Sequence, residues 1–159
     1  VGFNVKTVPR DLTAIGAELL LNEAINFLDY TGVIPEVKVI VRNSRSSKVS
    51  GSVLKINDLS YNLKLVGPFL YKCFKKHYYY LDVEKTIKRT FSVIVHECKH
   101  LVDFLNKERF VYAKYTYKYR CQEVRARRAG NEASLAAPEV CPVLAFYLRF
   151  FETEFKSEQ

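Results

Sequence analysis

Phe91-Ser92-Val93-Ile94-Val95-His96-Glu97-Cys98-Lys99-His100-Leu101-Val102-Asp103-Phe104-Leu105 sets an H-E-x-x-H pattern inside an apolar frame. The frame repeats with helical period, and a helix is expected from Val83 or Glu84 to about Asn106. Residues four apart on a helix share a face. His96 and His100 can then reach one zinc ion, and Glu97, beside the first of them, can address water on that ion. The chain has 3 histidines, two of them in this pattern. Its own composition produces such a pattern by chance in roughly one sequence in two hundred, so the match is informative.

Two histidines do not complete a catalytic zinc site, which takes three protein ligands and keeps one position open. Glu123 is the expected third ligand. It lies on a second expected helix, about Tyr119 to Asn131, with Ala126 and Ala129 or Gly130 on the neighbouring face. Small side chains there would let the two helices approach closely. Asp103 is the main rival, but three ligands on one straight helix rarely converge. It reads instead as the partner of the second ring nitrogen of His96 or His100. Glu108, Glu132 and His77 are further alternatives. Against this stands a Glu123 paired with Arg127 on a helix surface, and an H-E-x-x-H that merely decorates a core helix.

The arrangement resembles the gluzincin group of zinc peptidases, in which H-E-x-x-H lies on one helix and a Glu on a later helix completes the site. It is similar to the small single-domain members (minigluzincins) and to the ImmA/IrrE-type peptidases of phage and bacterial stress systems. In the latter the later helix carries a Glu followed by small residues. The resemblance runs from roughly Tyr78 to Leu135, and residues 1–70 have no counterpart in it. It implies one zincin-like domain over residues 1–159. It also implies a zinc-dependent endopeptidase acting on a protein or peptide, with Glu97 as general base. An oxyanion donor is expected as well, from Tyr112, Tyr115, Tyr117, Tyr119 or His77. The strand before the motif helix, Tyr78–Leu81, is implied as the edge that pairs with extended substrate. Lys99 departs from the small or apolar residue usual at its position and is expected at the helix surface facing the cleft.

Working outward, Asp11 or Thr13 caps an expected first helix through about Tyr30. Its apolar face is Ile15, Leu19, Ala24, Phe27 and Leu28, and Gly32 is its stop. Val37–Val41, Val53–Ile56 and Tyr61–Val66 read as strands, the last two joined by a turn at Asn57-Asp58. Asn43–Ser52 reads as an exposed loop, Gly67-Pro68 as a break and His77–Leu81 as a further strand. Pro138 and Pro142 bracket the start of a last helix to about Phe155. The fold class expected is α+β, a small mostly antiparallel sheet packed against helices.

Composition bounds the partners. Of the 159 residues 48% are hydrophobic, including 11 Tyr and 11 Phe, enough for a sizeable core. The formal net charge of +8 favours acidic partners. The stretches Tyr71–Tyr78 and Tyr112–Arg120 interleave aromatic and basic residues. They fit weak, non-specific contact with single-stranded nucleic acid, but an aromatic face in the core with a lysine face in water is the favoured reading. The alternative function is therefore a basic nucleic-acid-binding module with a structural or vestigial zinc site, or a peptidase acting on DNA-associated proteins. Cys73, Cys98, Cys121 and Cys141 form no C-x-x-C pair. They read as free thiols in a reducing, intracellular (cytoplasmic) compartment, with two extracellular disulfides as the alternative. No signal peptide and no run of membrane-spanning length is visible, and a monomer is expected. The start at Val1 and the absence of Met read as a trimmed or processed N-terminus.

Overall fold

The computed structural model describes residues 4–8, 12–42, 51–66, 83–112 and 116–140. In chain order these form β1 (Asn4–Val8), α1 (Leu12–Phe27), β2 (Glu36–Arg42), β3 (Gly51–Asn57), β4 (Ser60–Val66), α2 (Val83–Leu105), a 3-10 turn (Tyr117–Tyr119) and α3 (Cys121–Val140). The class is α+β, with helices packed on a small mixed sheet. His77–Leu81, Gly67-Pro68, Pro142 and most of the last expected helix lie outside the described residues.

The sheet has four strands in the order β1-β2-β4-β3. The expectation of a mostly antiparallel sheet is corrected here. β1 pairs with β2 and β2 with β4 in parallel, and only β3 and β4 are antiparallel. The tight turn at Asn57-Asp58 forces the last pairing. Asn57 accepts the Leu59 amide at 3.0 Å, and Lys55 pairs with Asp58 at 3.0 Å. Of the other pairings, β2 with β4 arises because β4 turns back from β3 to lie between it and β2, and the remaining one involves β1, a strand the sequence reading did not contain. Asn4-Val5-Lys6-Thr7-Val8 has little apolar content, and its chain returns through α1 to lie parallel beside β2.

Alternation supplies the core face. Val37 and Val39 on β2, and Tyr61, Leu63 and Leu65 on β4, are buried, while Lys38 and Lys64 point to solvent. Against this face pack Leu20, Leu21, Ala24 and Ile25 of α1 and the stripe Phe91, Ile94, Val95, Cys98, Leu101 and Val102 of α2. Phe27 meets Phe91 edge-on at 6.1 Å. The stripe's spacing is the helical period read from the motif. On α1, Ala24 is buried and Phe27 and Leu28 pack at the core margin as expected. The apolar run Leu19-Leu20-Leu21 does not reveal its inward face by periodicity, and Leu20, Leu21 and Ile25 were missed. The side chains of Ile15 and Leu19 lie outside the described set. α1 ends at Phe27, before Gly32, because Asp29 takes a left-handed φ of 52° and reverses the chain.

α2 ends where expected, for an identifiable reason. Lys107 adopts φ 56°, its amide reaches the Phe104 carbonyl at 3.1 Å, and the Glu108 amide reaches the Asp103 carbonyl at 2.9 Å. This pair of bonds closes the last carbonyls of the helix in a Schellman motif. α3 starts near its expected position but runs nine residues past Asn131, through Pro138. Pro138 and Pro142 were expected to bracket the start of a new helix; Pro138 lies inside α3, two residues from its end, where it cannot donate the bond to the carbonyl four residues back. No described helix is long and apolar enough to cross a membrane.

Candidate metal centre

α2 and α3 lie close together because the facing positions are small. Ala126, Ala129, Ala133 and Ala137 are buried along α3. At Gly130 a Cβ would stand 3.0 Å from the Ser92 carbonyl oxygen and 3.6 Å from the His96 Cβ, so a side chain there would drive the helices apart. The Ser92 hydroxyl donates to the Gly130 carbonyl at 2.8 Å and ties them.

This approach brings Glu123 onto the motif. Its Oε1 lies 3.0 Å from His100 Nε2 and its Oε2 3.3 Å from His96 Nε2. The two imidazoles stand nearly perpendicular, 5.1 Å apart. One ligand atom from each residue lies within 4.8 Å of the others. Tetrahedral zinc with bonds of about 2.0–2.2 Å needs neighbouring ligand atoms about 3.3–3.6 Å apart. The two imidazole–carboxylate separations lie within a few tenths of an ångström of that range, and two imidazoles with one carboxylate form a donor set zinc accepts in catalytic sites. Burial opposes charge on Glu123, but hydrogen bonds with His100, His96 and Tyr117 hold its carboxyl well below the usual range, so it stands as an anion.

Glu97 is buried beside this cluster. Its side chain lies against the start of the edge strand: a Cβ on Gly51 would stand 2.8 Å from Glu97 Cγ. Burial lifts its pKa to about 7, with His96 pulling it down and Glu123 pushing it up. A carboxyl poised there both accepts and returns a proton near neutral pH.

A cavity of about 240 Å³ opens in front of Glu97, His100 and Glu123, bordered by Gly51, Ser52 and Val53 of β3. Gly51 and Ser52, read as loop, belong to this strand. Among the expected oxyanion donors, Tyr117 and Tyr112 line the cavity; Tyr119 does not, and Tyr115 and His77 lie outside the described residues. The Tyr117 hydroxyl hydrogen-bonds Glu123, and burial together with that bond raises its pKa to about 12.

The role expected of Asp103 is corrected. Its fully buried carboxylate is taken by Arg125 Nε at 2.8 Å and by Lys99 Nζ at 3.2 Å. His100 Nδ1 is buried without a hydrogen-bond partner among the described residues. Lys99 is thus half-buried along its own helix, where Asp103 four residues on draws it. Glu108 and Glu132 are exposed and outside the cluster. Arg127 does not pair with Glu123; its guanidinium donates to the Lys118 carbonyl.

Three residues of α3 that the sequence reading gave no role hold the loop after α2. Gln122 donates to the Val111 carbonyl at 2.6 Å and accepts the Val111 amide at 3.0 Å. Arg125 Nη2 donates to the Arg109 carbonyl at 2.8 Å, and Cys121 Sγ reaches the same carbonyl at 3.4 Å. Phe110 is thereby laid flat on Phe104, ring centres 4.2 Å apart and 3° from parallel, with Tyr112 stacked beyond it at 6.2 Å. Tyr112, Tyr117 and Tyr119 are exposed, so among the described residues of this stretch no aromatic face packs into the core. Lys118 and Arg120 sit over the rings of Tyr119 and Tyr117. Cys98 and Cys121 are free; Cys73 and Cys141 lie outside the described residues. Burial pushes the Cys98 thiol well above its ordinary range, which keeps it unreactive.

Comparison with known proteins finds no matching family model, no similar curated protein and no similar solved structure, so the functional reading rests on the geometry of this centre.

Proposed function

We propose that this chain is a zinc-dependent endopeptidase of zincin-like fold, in which His96, His100 and Glu123 hold the metal and Glu97 is the general base. The observation that carries the reading is the convergence of both imidazoles on the Glu123 carboxylate, with Glu97 buried beside them in a cleft bordered by a strand edge. When bound, zinc supplies a positive charge that polarises the scissile carbonyl and brings the pKa of water towards roughly 7. Glu97 takes the proton from the attacking water at a carboxylate oxygen and delivers it to the leaving amine nitrogen. Gly51 leaves room for that carboxylate to sit against the strand. Tyr117 holds Glu123 in its orientation through their hydrogen bond. The backbone of β3, an edge strand among the described residues, pairs with the main chain of an extended peptide; Tyr78–Leu81, expected as that edge, lies outside the described residues.

The test joins metal analysis to turnover. Wild type binds about one zinc per chain, and replacement of His96, His100 or Glu123 by Ala loses it. Glu97→Gln keeps the metal and lowers peptide hydrolysis by about a hundredfold or more. Full hydrolysis by Glu97→Gln would remove Glu97 from the reaction. Full metal binding without Glu123 would remove that ligand.

A second reading has one observation behind it. The exposed Tyr117 and Tyr119 rings carry the cations of Arg120 and Lys118, a surface on which single-stranded bases can stack. Such contact is weak, indifferent to sequence and steeply lost with salt. Tight, sequence-selective binding at physiological salt would place this reading above the peptidase.

A further inference from the structure

We infer that the cleft holds a side-chain subsite selecting peptides with a large apolar residue within two positions of the scissile bond. The inference rests on the peptidase reading above and adds the class of substrate.

The cavity has two unlike walls. Glu97, His100, Tyr117 and Glu123 form the polar one, and Val53, Phe104, Phe110 and Tyr112 the apolar one. The apolar wall is braced by stacking and hydrogen bonds. Phe104 stands on α2, Phe110 lies parallel to it at 4.2 Å, and Gln122 and Arg125 fix the loop backbone that carries Phe110 and Tyr112. Tyr112, at 66% exposure, leaves an aromatic face uncovered beside the catalytic carboxylate.

Strand geometry says what meets that wall. β3 is an edge of the sheet among the described residues. Three consecutive residues of it, Gly51, Ser52 and Val53, border the cavity, so the backbone edge itself faces the cleft. On a strand, residues two apart share a face, and a paired residue opposite points to that same face. Gly51 abuts Glu97. A peptide residue opposite Gly51 therefore lies at the catalytic carboxylate, and one opposite Val53, about 7 Å along, turns its side chain to the Phe104–Phe110–Tyr112 stack. The whole cavity measures about 240 Å³, and the stack forms its apolar side. An Ala at that position would leave both the wall and the space uncovered.

Binding can be separated from catalysis. Zinc-loaded and metal-free Glu97→Gln protein are titrated, by fluorescence anisotropy, with short labelled Ser/Gly peptides that carry a single Phe, Leu, Ala or Glu. The Phe and Leu peptides are expected to bind at least about tenfold tighter than the Ala peptide, in line with partial burial of the added methylenes. Tyr112→Ala, at an exposed position, should shrink that ratio to about twofold or less. Val53→Trp, which fills the cavity from the edge strand, should reverse the preference towards Ala. Equal binding of Phe and Ala peptides, or a preference unchanged in both variants, overturns the subsite. A preference intact in a wild type that hydrolyses no peptide sinks the peptidase and leaves the subsite standing. Hydrolysis indifferent to these residues does the reverse.

Discussion

Replacing Glu97 by Gln should stabilise the metal-free protein, and the gain should depend on pH. Burial lifts the Glu97 carboxyl from 4.5 to about 7. The fold thus keeps the proton where the unfolded chain releases it. Below the unfolded value both states are protonated and Glu97 costs nothing. As pH rises from about 4.5 to about 7 the unfolded state ionises first, so stability falls; above about 7 the loss is complete. A rise of this size corresponds to about 3 kcal/mol, at about 1.4 kcal/mol per pH unit. Gln matches the protonated carboxyl in shape and never ionises. In urea unfolding of chelator-treated protein, wild type and Glu97→Gln should be nearly equal near pH 4, and the variant should be more stable by about 3 kcal/mol near pH 8. Taking the difference between the two proteins cancels the titration of groups they share. A gap that stays constant across this range would show that Glu97 is solvated in the folded chain, and the buried general base of the proposed function would be lost with it.

Other substitutions probe the supports of the centre. Gly130→Ala gains about 1 kcal/mol of helix propensity but meets the Ser92 backbone, so a net loss of about 1–2 kcal/mol with weakened zinc binding is expected in thermal melts and metal titration. In Gly51→Ala the new Cβ meets Glu97 at 2.8 Å and the Lys64 carbonyl at 3.1 Å. Turnover should fall with metal content unchanged, and chemical unfolding should show a loss of about 1–3 kcal/mol. Arg125→Met leaves the buried Asp103 carboxylate with Lys99 alone and should cost about 2–3 kcal/mol; adding Asp103→Asn should recover part of it in a double-mutant cycle.

The motif helix was legible because its signals are local. Phe91, Ile94, Val95, Cys98, Leu101 and Val102 recur at the helical period, and the helix stops within a residue of its expected end. Glu123 was legible through the small residues that follow it, whose effect on helix spacing is a matter of volume. What was not legible depends on partners distant in sequence. Asp103 was assigned to a histidine on its own helix, whereas the bidder that wins is Arg125, on the next. Gly51 looked like one more residue of a polar loop; its contact is with a side chain that only the tertiary fold brings to it. Among the tyrosines before Glu123, chain order could not tell which hydroxyl turns inward, and Tyr117 does so from a single 3-10 turn. β1 was missed because a weakly apolar strand declares itself only through its neighbour.

The two-point pairing of Gln122 with Val111 has a consequence for how metal and fold are linked. Gln122 and Glu123 share one turn of α3, so the bonds that anchor the loop also fix the backbone from which the carboxylate extends. Arg125, on the same turn, adds its clasp on Asp103. The His96, His100 and Glu123 side chains are thus brought together by packing and hydrogen bonds within the chain. This is the opposite regime from a zinc finger, in which metal affinity is folding free energy. On the proposed metal reading the site is a preorganised receptor: chelation should empty it without melting it, and the exchange of one divalent ion for another becomes a matter of coordination chemistry on a standing scaffold.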